Sequence, residues 1–400
     1  PRPPSRTEPP MENDIPVWWP LLALTPFICF ALGWFAARVD MKTVLKQAKI
    51  LPAAFYCALE ALVDRNSGKA ARELAEAADT QPQSYELNLT LAKLYRSRGE
   101  NDKAARLLQK LADSPDTVGG RKEAVLFELG LTYQSAGLVD RAEQIFLSLE
   151  NGNTAKGARE RLLNIYQQDR DWEKAVAAAQ ALSHDEQTYR FETAQFYCEM
   201  AQAALFKSDY AAARERVASA LDANGKCSRA SIILGDIEQK EGNYAAAIEA
   251  YTAVEKQNYA YLGMAGEKLY DAYDAQNRAA EGLDVLIGYM KTFPQLDLLD
   301  VVYEKSLLLY GEQKAGETVA ELVRAKPDLN GVYRLLGVQI SGLSPMLKAD
   351  ADMARAVIGR QLQKSRVYRC RNCHFKSQAF FWHCPACNKW ETFTPNRIEV

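Results

Sequence analysis

Four cysteines near the C-terminus carry the chemistry open to this chain. Cys370 and Cys373 form one C-x-x-C pair, Cys384 and Cys387 a second, with ten residues between them. Each pair reads as a knuckle, a tight turn that aims two thiolates at one ion. Two knuckles complete a tetrahedral all-thiolate site for one iron or zinc ion. Two disulfides are the competing reading. A two-residue gap strains a bridge, however, and oxidised C-x-x-C pairs are usually catalytic, so the spacing points to metal. Free thiolates persist only in a reducing compartment. The other cysteines, Cys29, Cys57, Cys198 and Cys227, are unpaired by spacing and read as small core residues.

A unit of about 35 residues has little core of its own. Residues 366–400 therefore read as a ribbon with a miniature core of Tyr368, Phe375, Phe381, Trp382, Trp390 and Phe393. The bound ion would add folding energy on the order of 10 kcal/mol. Knuckles favour glycine directly after the second cysteine, yet His374 and Asn388 stand there; both tolerate the left-handed region better than most residues. His374 and His383 adjoin ligand cysteines, but the quartet is already complete without them. His184, in a repeat loop, reads as solvated. The ribbon holds six basic residues (Arg366, Arg369, Arg371, Lys376, Lys389, Arg397) against Glu391 and Glu399, a local +4. Basic residues among aromatics resemble a nucleic-acid stacking surface. A solvated face, or a dock for an acidic protein patch, is the simpler reading.

The rest of the chain must position this unit. Its 400 residues are 48 % hydrophobic with a formal charge of −2, so no global field recruits nucleic acid or anionic lipid. Between residues 51 and 330 a period near 34 recurs, the mark of tetratricopeptide helix pairs. Ala70, Leu74, Ala77 and Pro82 return as Ala104, Leu108, Leu111 and Pro115. Later copies read Gly130, Tyr133, Gly137, Ala142, Phe146, Leu149; Tyr166, Ala175; Ala201, Ala213, Val217, Ala220; and Gly235, Gly242, Tyr244, Ala247, Tyr251, Val254. Glycine or alanine lets the two helices of a pair approach, while larger groups fill the seam to the next copy. Gly99, Gly137 and Gly242 supply the turns. One pair cannot bury its apolar face alone, so the copies stack into an all-α superhelical solenoid with a binding groove. No heptad persists through the glycine turns, which excludes a coiled coil.

Residues 15–37 form a 23-residue stretch without a charge, long enough to span roughly 30 Å of hydrocarbon as one transmembrane helix. Trp18, Trp19 and Trp34 sit at its ends. Glu12 and Asp14 precede it and Arg38, Lys42, Lys46 and Lys49 follow, so the positive-inside rule places the bulk of the chain on the cytoplasmic side. A cleaved signal peptide would carry its positive charge ahead of the apolar run. Residues 1–14 read as a disordered leader, with Met11 as a natural start. Residues 331–365 read as a helical connector to the ribbon. No phosphate-binding loop, dinucleotide fingerprint, zinc-protease or nucleophile-elbow motif occurs, and a four-thiolate site has no open position for hydrolysis, so the chain reads as a non-enzyme.

Anchor, repeats and ribbon in this order, with Tyr197-Cys198-Glu199, Gly137-Leu-Val-Asp-Arg-Ala142 and Trp382-His-Cys-Pro-Ala-Cys387, resemble the lipopolysaccharide assembly protein B family of Gram-negative inner membranes. The resemblance implies a cytoplasm-facing adaptor with its N-terminus in the periplasm. It would present the UDP-acyl-N-acetylglucosamine deacetylase of lipid A synthesis to a membrane-anchored AAA+ protease. An inner-membrane protein with a periplasmic domain would restrain it through the lipid bilayer, and scaffolding of other lipopolysaccharide enzymes is compatible. The family's metal cysteines correspond to Cys370, Cys373, Cys384 and Cys387; its members are described with iron, while the spacing here permits zinc equally. Two other readings compete: a rubredoxin-like electron-transfer protein and a membrane-held nucleic-acid-binding ribbon. No nucleic-acid partner is expected, and self-association is left open.

Overall fold

The computed structural model describes residues 53–183 and 189–399, together with Phe30, Gly33 and Trp34. The expected leader at 1–14, His184 and, those three positions aside, the expected membrane helix at 15–37 lie outside the described residues. Among the described residues no helix is long and apolar enough to cross a membrane.

Helices alternate with short turns because small residues recur where two helices must touch. The N-terminal unit, ending at Val118, holds α1 (Ala53–Val63), α2 (Ser67–Thr80), α3 (Tyr85–Ser97) and α4 (Asn101–Ala112). Ala58, Leu74, Ala77, Leu87 and Leu91 form its core. Cys57, expected in a core, is exposed: it sits one residue off the α1 stripe of Ala58 and Ala61 that is buried.

Among the described residues the second unit, from Gly119, holds seven further pairs. They are α5 (Gly120–Ser135) with α6 (Val139–Ser148), α7 (Ala155–Asp169) with α8 (Trp172–Ser183), and α9 (Arg190–Phe206) with α10 (Tyr210–Ala223). Next come α11 (Ser228–Lys240) with α12 (Tyr244–Asn258), and α13 (Leu262–Asp274) with α14 (Ala279–Thr292). The last are α15 (Leu299–Tyr310) with α16 (Glu312–Ala325), and α17 (Leu329–Gln339) with α18 (Pro345–Ser365). A Cβ on Gly130 would lie 2.7 Å from the Phe146 ring, and one on Gly235 only 2.3 Å from Tyr251. That close approach is what the repeat pattern required. Ala142, Ala175, Ala213 and Ala247 are fully buried for the same reason. The turn glycines Gly99, Gly137 and Gly242 have φ of +77°, +76° and +82°, where a side chain is strained. Some helix starts are capped by side chains, as when the Asp209 carboxylate accepts the Ala212 N–H at 3.1 Å.

After α18 the chain turns into a small antiparallel sheet of β1 (Arg366–Arg369), β2 (Lys376–Ser377) and β3 (Ile398–Glu399), in the order β2-β1-β3. Tyr368 pairs with Ser377 and Val367 with Ile398. The expected combination of helical repeats and a C-terminal ribbon is thus present.

Candidate metal centre

The two cysteine pairs fold alike. Cys370 N–H donates to the Phe375 carbonyl and His374 N–H to the Cys370 carbonyl, at 2.9 and 3.0 Å. In the second knuckle Cys384 N–H donates to Lys389 O and Asn388 N–H to Cys384 O, both at 2.9 Å. The turns place His374 at φ +61° and Asn388 at φ +52°, the left-handed conformation expected at those two positions.

These turns gather the sulfurs of Cys370, Cys373, Cys384 and Cys387 within 4.8 Å of one another. Cys370 and Cys387 are 3.8 Å apart, Cys373 and Cys384 3.7 Å. A tetrahedron of sulfurs about a zinc or iron ion has edges of about 3.8 Å, so the donor set fits such an ion. Cys370 and Cys384 are buried and Cys373 is exposed. The surroundings of the four thiols differ. Burial acts to raise Cys370, but the Cys373 amide and the Thr392 hydroxyl outweigh it and hold the thiol down to about 6. Burial pushes Cys384 up to about 12. Four thiolates at this spacing repel, and a divalent cation would relieve that repulsion.

The ribbon's own core is smaller than expected, comprising Phe393, Cys370 and Cys384 with Tyr368 and Phe380 against them. Phe375 and Phe381 are exposed. Trp382 and Trp390 leave that core and face the repeats. Trp390 meets Trp172 and Phe196 edge to face, at 6.0 and 5.9 Å between centroids, and its indole N–H donates to Gln167 Oε1 at 3.3 Å. Trp382 stacks on Tyr261 at 4.9 Å, with Phe380 edge-on to the same ring. The Arg229 guanidinium lies over both indoles, 5.4 Å from the Trp382 ring and 5.9 Å from that of Trp390. Arg229 is 4 % exposed and pairs with Glu199 at 2.8 Å. A buried guanidinium is costly unless paired, and the carboxylate and two aromatic faces together offset that cost.

The basic residues divide. Arg366 pairs with Asp297 and, at 3.1 Å, with Asp300; Arg397 Nε meets Asp297 at 2.6 Å. The acidic patch that a basic ribbon face suggested is therefore on this chain's own repeats. Arg334 Nε and Asn330 Nδ2 also donate to Asp300, at 2.8 and 3.1 Å. Burial acts to raise Asp300, but Arg334, Asn330 and Arg366 outweigh it and hold the carboxyl below its ordinary range. At the other end of the seat Gln195 Nε2 donates to Glu391 at 2.7 Å.

Neither candidate histidine belongs to the cluster of donors. His374 is an exposed turn residue. His383 stacks on Trp390 at 4.4 Å, and burial pushes its imidazole down. The seat residues Gln167, Trp172, Gln195, Phe196, Arg229, Asp297 and Asp300 were not singled out by sequence. Trp172 alone left a signal, as the single tryptophan between the apolar N-terminal stretch and the ribbon.

The fold and site define a class: a tetratricopeptide-repeat protein whose C-terminal metal-binding ribbon packs on its own repeats. Residues 368–395 match the family described as rubredoxin metal binding domain, and residues 198–261 and 89–122 match tetratricopeptide repeat families. Over nearly its whole length the chain resembles lipopolysaccharide assembly protein B. It is 27 % identical to that protein of Escherichia coli (strain K12) over 387 residues, covering 94 % of this chain and 98 % of the relative. Against that of Haemophilus influenzae (strain ATCC 51907 / DSM 11121 / KW20 / Rd) the identity is 28 % over 393 residues, with the same coverage. Among solved structures, Naa15/Naa10 bound to HypK-THB aligns over 78 % of this chain and 51 % of its own, at 13 % identity and a TM-score of 0.42.

Proposed function

We propose that this chain is a non-catalytic, membrane-anchored adaptor of lipopolysaccharide synthesis. It presents the UDP-acyl-N-acetylglucosamine deacetylase to a membrane-anchored AAA+ protease and so limits lipid A output. The observation that carries this reading is the resemblance to lipopolysaccharide assembly protein B across both modules, 94 % of the chain. Residues 15–37 are its inner-membrane anchor, which raises the effective concentration of protease and substrate in one plane. A membrane protein with a periplasmic domain restrains it there.

Cys370, Cys373, Cys384 and Cys387 hold one iron or zinc ion, which ties the knuckles together and supplies no reaction step. The ribbon then serves as an internal clamp. It covers the first helices of successive pairs from Gln167 on α7 to Asp300 on α15, so a partner does not have that face to itself. Partners engage what stays open beside the ribbon, such as the cleft of about 720 Å³ lined by Gln134, Asn164, Gln168, Tyr189 and Lys389.

The test is the half-life of the deacetylase in cells depleted of this protein and complemented with wild type or Cys384→Ser. Wild type should restore rapid turnover and Cys384→Ser should not. An unchanged half-life on depletion would remove the adaptor reading; normal turnover with Cys384→Ser would remove the clamp's part in it.

A further inference from the structure

Two thiols outside the quartet touch each other next to the ribbon seat. Cys198 on α9 and Cys227, the residue capping α11, have sulfurs 3.7 Å apart, and both are buried, at 0 and 1 % exposure. They come from neighbouring pairs, 29 residues apart in sequence. Their surroundings are also those of the ribbon. Gln195, one turn before Cys198, donates Nε2–H to Cys227 Sγ at 3.6 Å and to the ribbon's Glu391 at 2.7 Å. Arg229, two residues after Cys227, lies against both ribbon tryptophans.

Buried cysteines usually serve as small apolar residues. These two differ from that pattern in being paired and inequivalent. Contact with Cys198 and the Ala230 amide hold the Cys227 thiol below its ordinary range although burial opposes them. Contact with Cys227 and burial push Cys198 up. Cys227, at the N-terminus of α11 and accepting the Gln195 N–H, is placed to attack, and Cys198, 3.7 Å away, to resolve.

We propose that Cys198 and Cys227 are a disulfide-forming site that takes a low-molecular-weight disulfide as oxidant and is shielded by the docked ribbon. The Cys227 thiolate attacks one sulfur of the oxidant, breaking its S–S bond and releasing one thiolate. Cys198 loses its proton and displaces the second thiolate from the mixed disulfide. Two protein thiols are oxidised, one disulfide is reduced to two thiols, and the two protons leave with them. The sulfurs must close from 3.7 Å to about 2 Å, which draws the start of α11 towards α9 and shifts Arg229 against the indoles. Because both thiols are covered, exchange proceeds through local opening, and lifting the ribbon removes Glu391 from above them.

The experiment incubates the metal-loaded full chain with oxidised glutathione, alkylates remaining thiols and maps the cross-links by peptide mass spectrometry. A Cys198–Cys227 link should form slowly in wild type and roughly tenfold faster in Trp390→Ala, where the seat opens more often. Trp382→Ala serves as a second loosened variant, and the helical circular-dichroism signal confirms that the repeats remain folded. Cys198→Ser should leave glutathione attached at Cys227. Full alkylation of both cysteines in wild type and both tryptophan variants would overturn the site. Equal rates in all three would overturn the shielding, and glutathione retained on Cys198 rather than Cys227 in the single-serine variants would overturn the assigned roles.

Discussion

At the scale of single residues, each knuckle turns on one left-handed residue, His374 at φ +61° and Asn388 at φ +52°. Cysteine spacing and the need for a left-handed residue after each knuckle are local rules, so the quartet, His374 and Asn388 were visible in the sequence. Which aromatics face inward is a tertiary matter. Trp382 and Trp390 look like core residues of a small domain, yet they are apolar enough to serve either surface, and a guanidinium decides between them. Arg229 offered no signal because its cation-π partners lie more than 150 residues away. The left-handed turn at His374 carries a testable cost. Replacing His374 with glycine should relieve side-chain strain and stabilise the ribbon by about 0.5–1 kcal/mol. The check is the thermal midpoint of the metal-loaded protein, which should rise slightly; a fall would mean that the imidazole makes a compensating contact.

Helix pairs were the most legible elements where glycine marks them, and the reason is geometric. Gly130 and Gly235 allow an aromatic ring of the second helix to rest on the backbone of the first. Gly235→Ala should therefore force Tyr251 aside, breaking its hydroxyl contacts with Asp236 and Gln239 at 2.7 and 2.9 Å. The expected loss is about 1–3 kcal/mol, read as a lower urea midpoint. The same change at Gly288, where an added Cβ meets nothing within 4 Å, should be neutral or mildly stabilising. Equal effects at both sites would contradict the packing account. The second, third and fifth pairs of the second unit were harder to read because other residues fill the turns. Arg170, Ser208 and Asn277 adopt φ of +57°, +60° and +60° where glycine would have announced the turn.

For the molecule as a whole, the ribbon's seat is where charge matters most. Asp300 joins α15 to Arg366 at the start of the ribbon and to Arg334 on α17. Since its folded carboxyl lies below the ordinary range, its contribution is fully present above about pH 4, the unfolded carboxylate value. It is lost as pH falls through the folded value. Asp300→Asn should cost about 2 kcal/mol at neutral pH by leaving two arginines underpaired. The gap in urea midpoint between wild type and variant should shrink on acidification below about pH 4. A gap that widened with acid would reverse the assigned sign.

The central claim is that the metal-organised ribbon clamps the first helices of successive repeats. Hydrogen exchange of the metal-loaded chain against Cys384→Ser tests it most directly. The account predicts faster exchange in the variant, both in the ribbon and in the segments around Gln195–Glu199, Arg229 and Tyr261, with the N-terminal unit up to Val118 unchanged. If the ribbon lost its protection while those seat segments kept theirs, it would be a passenger on the repeats, and the clamp would be contradicted.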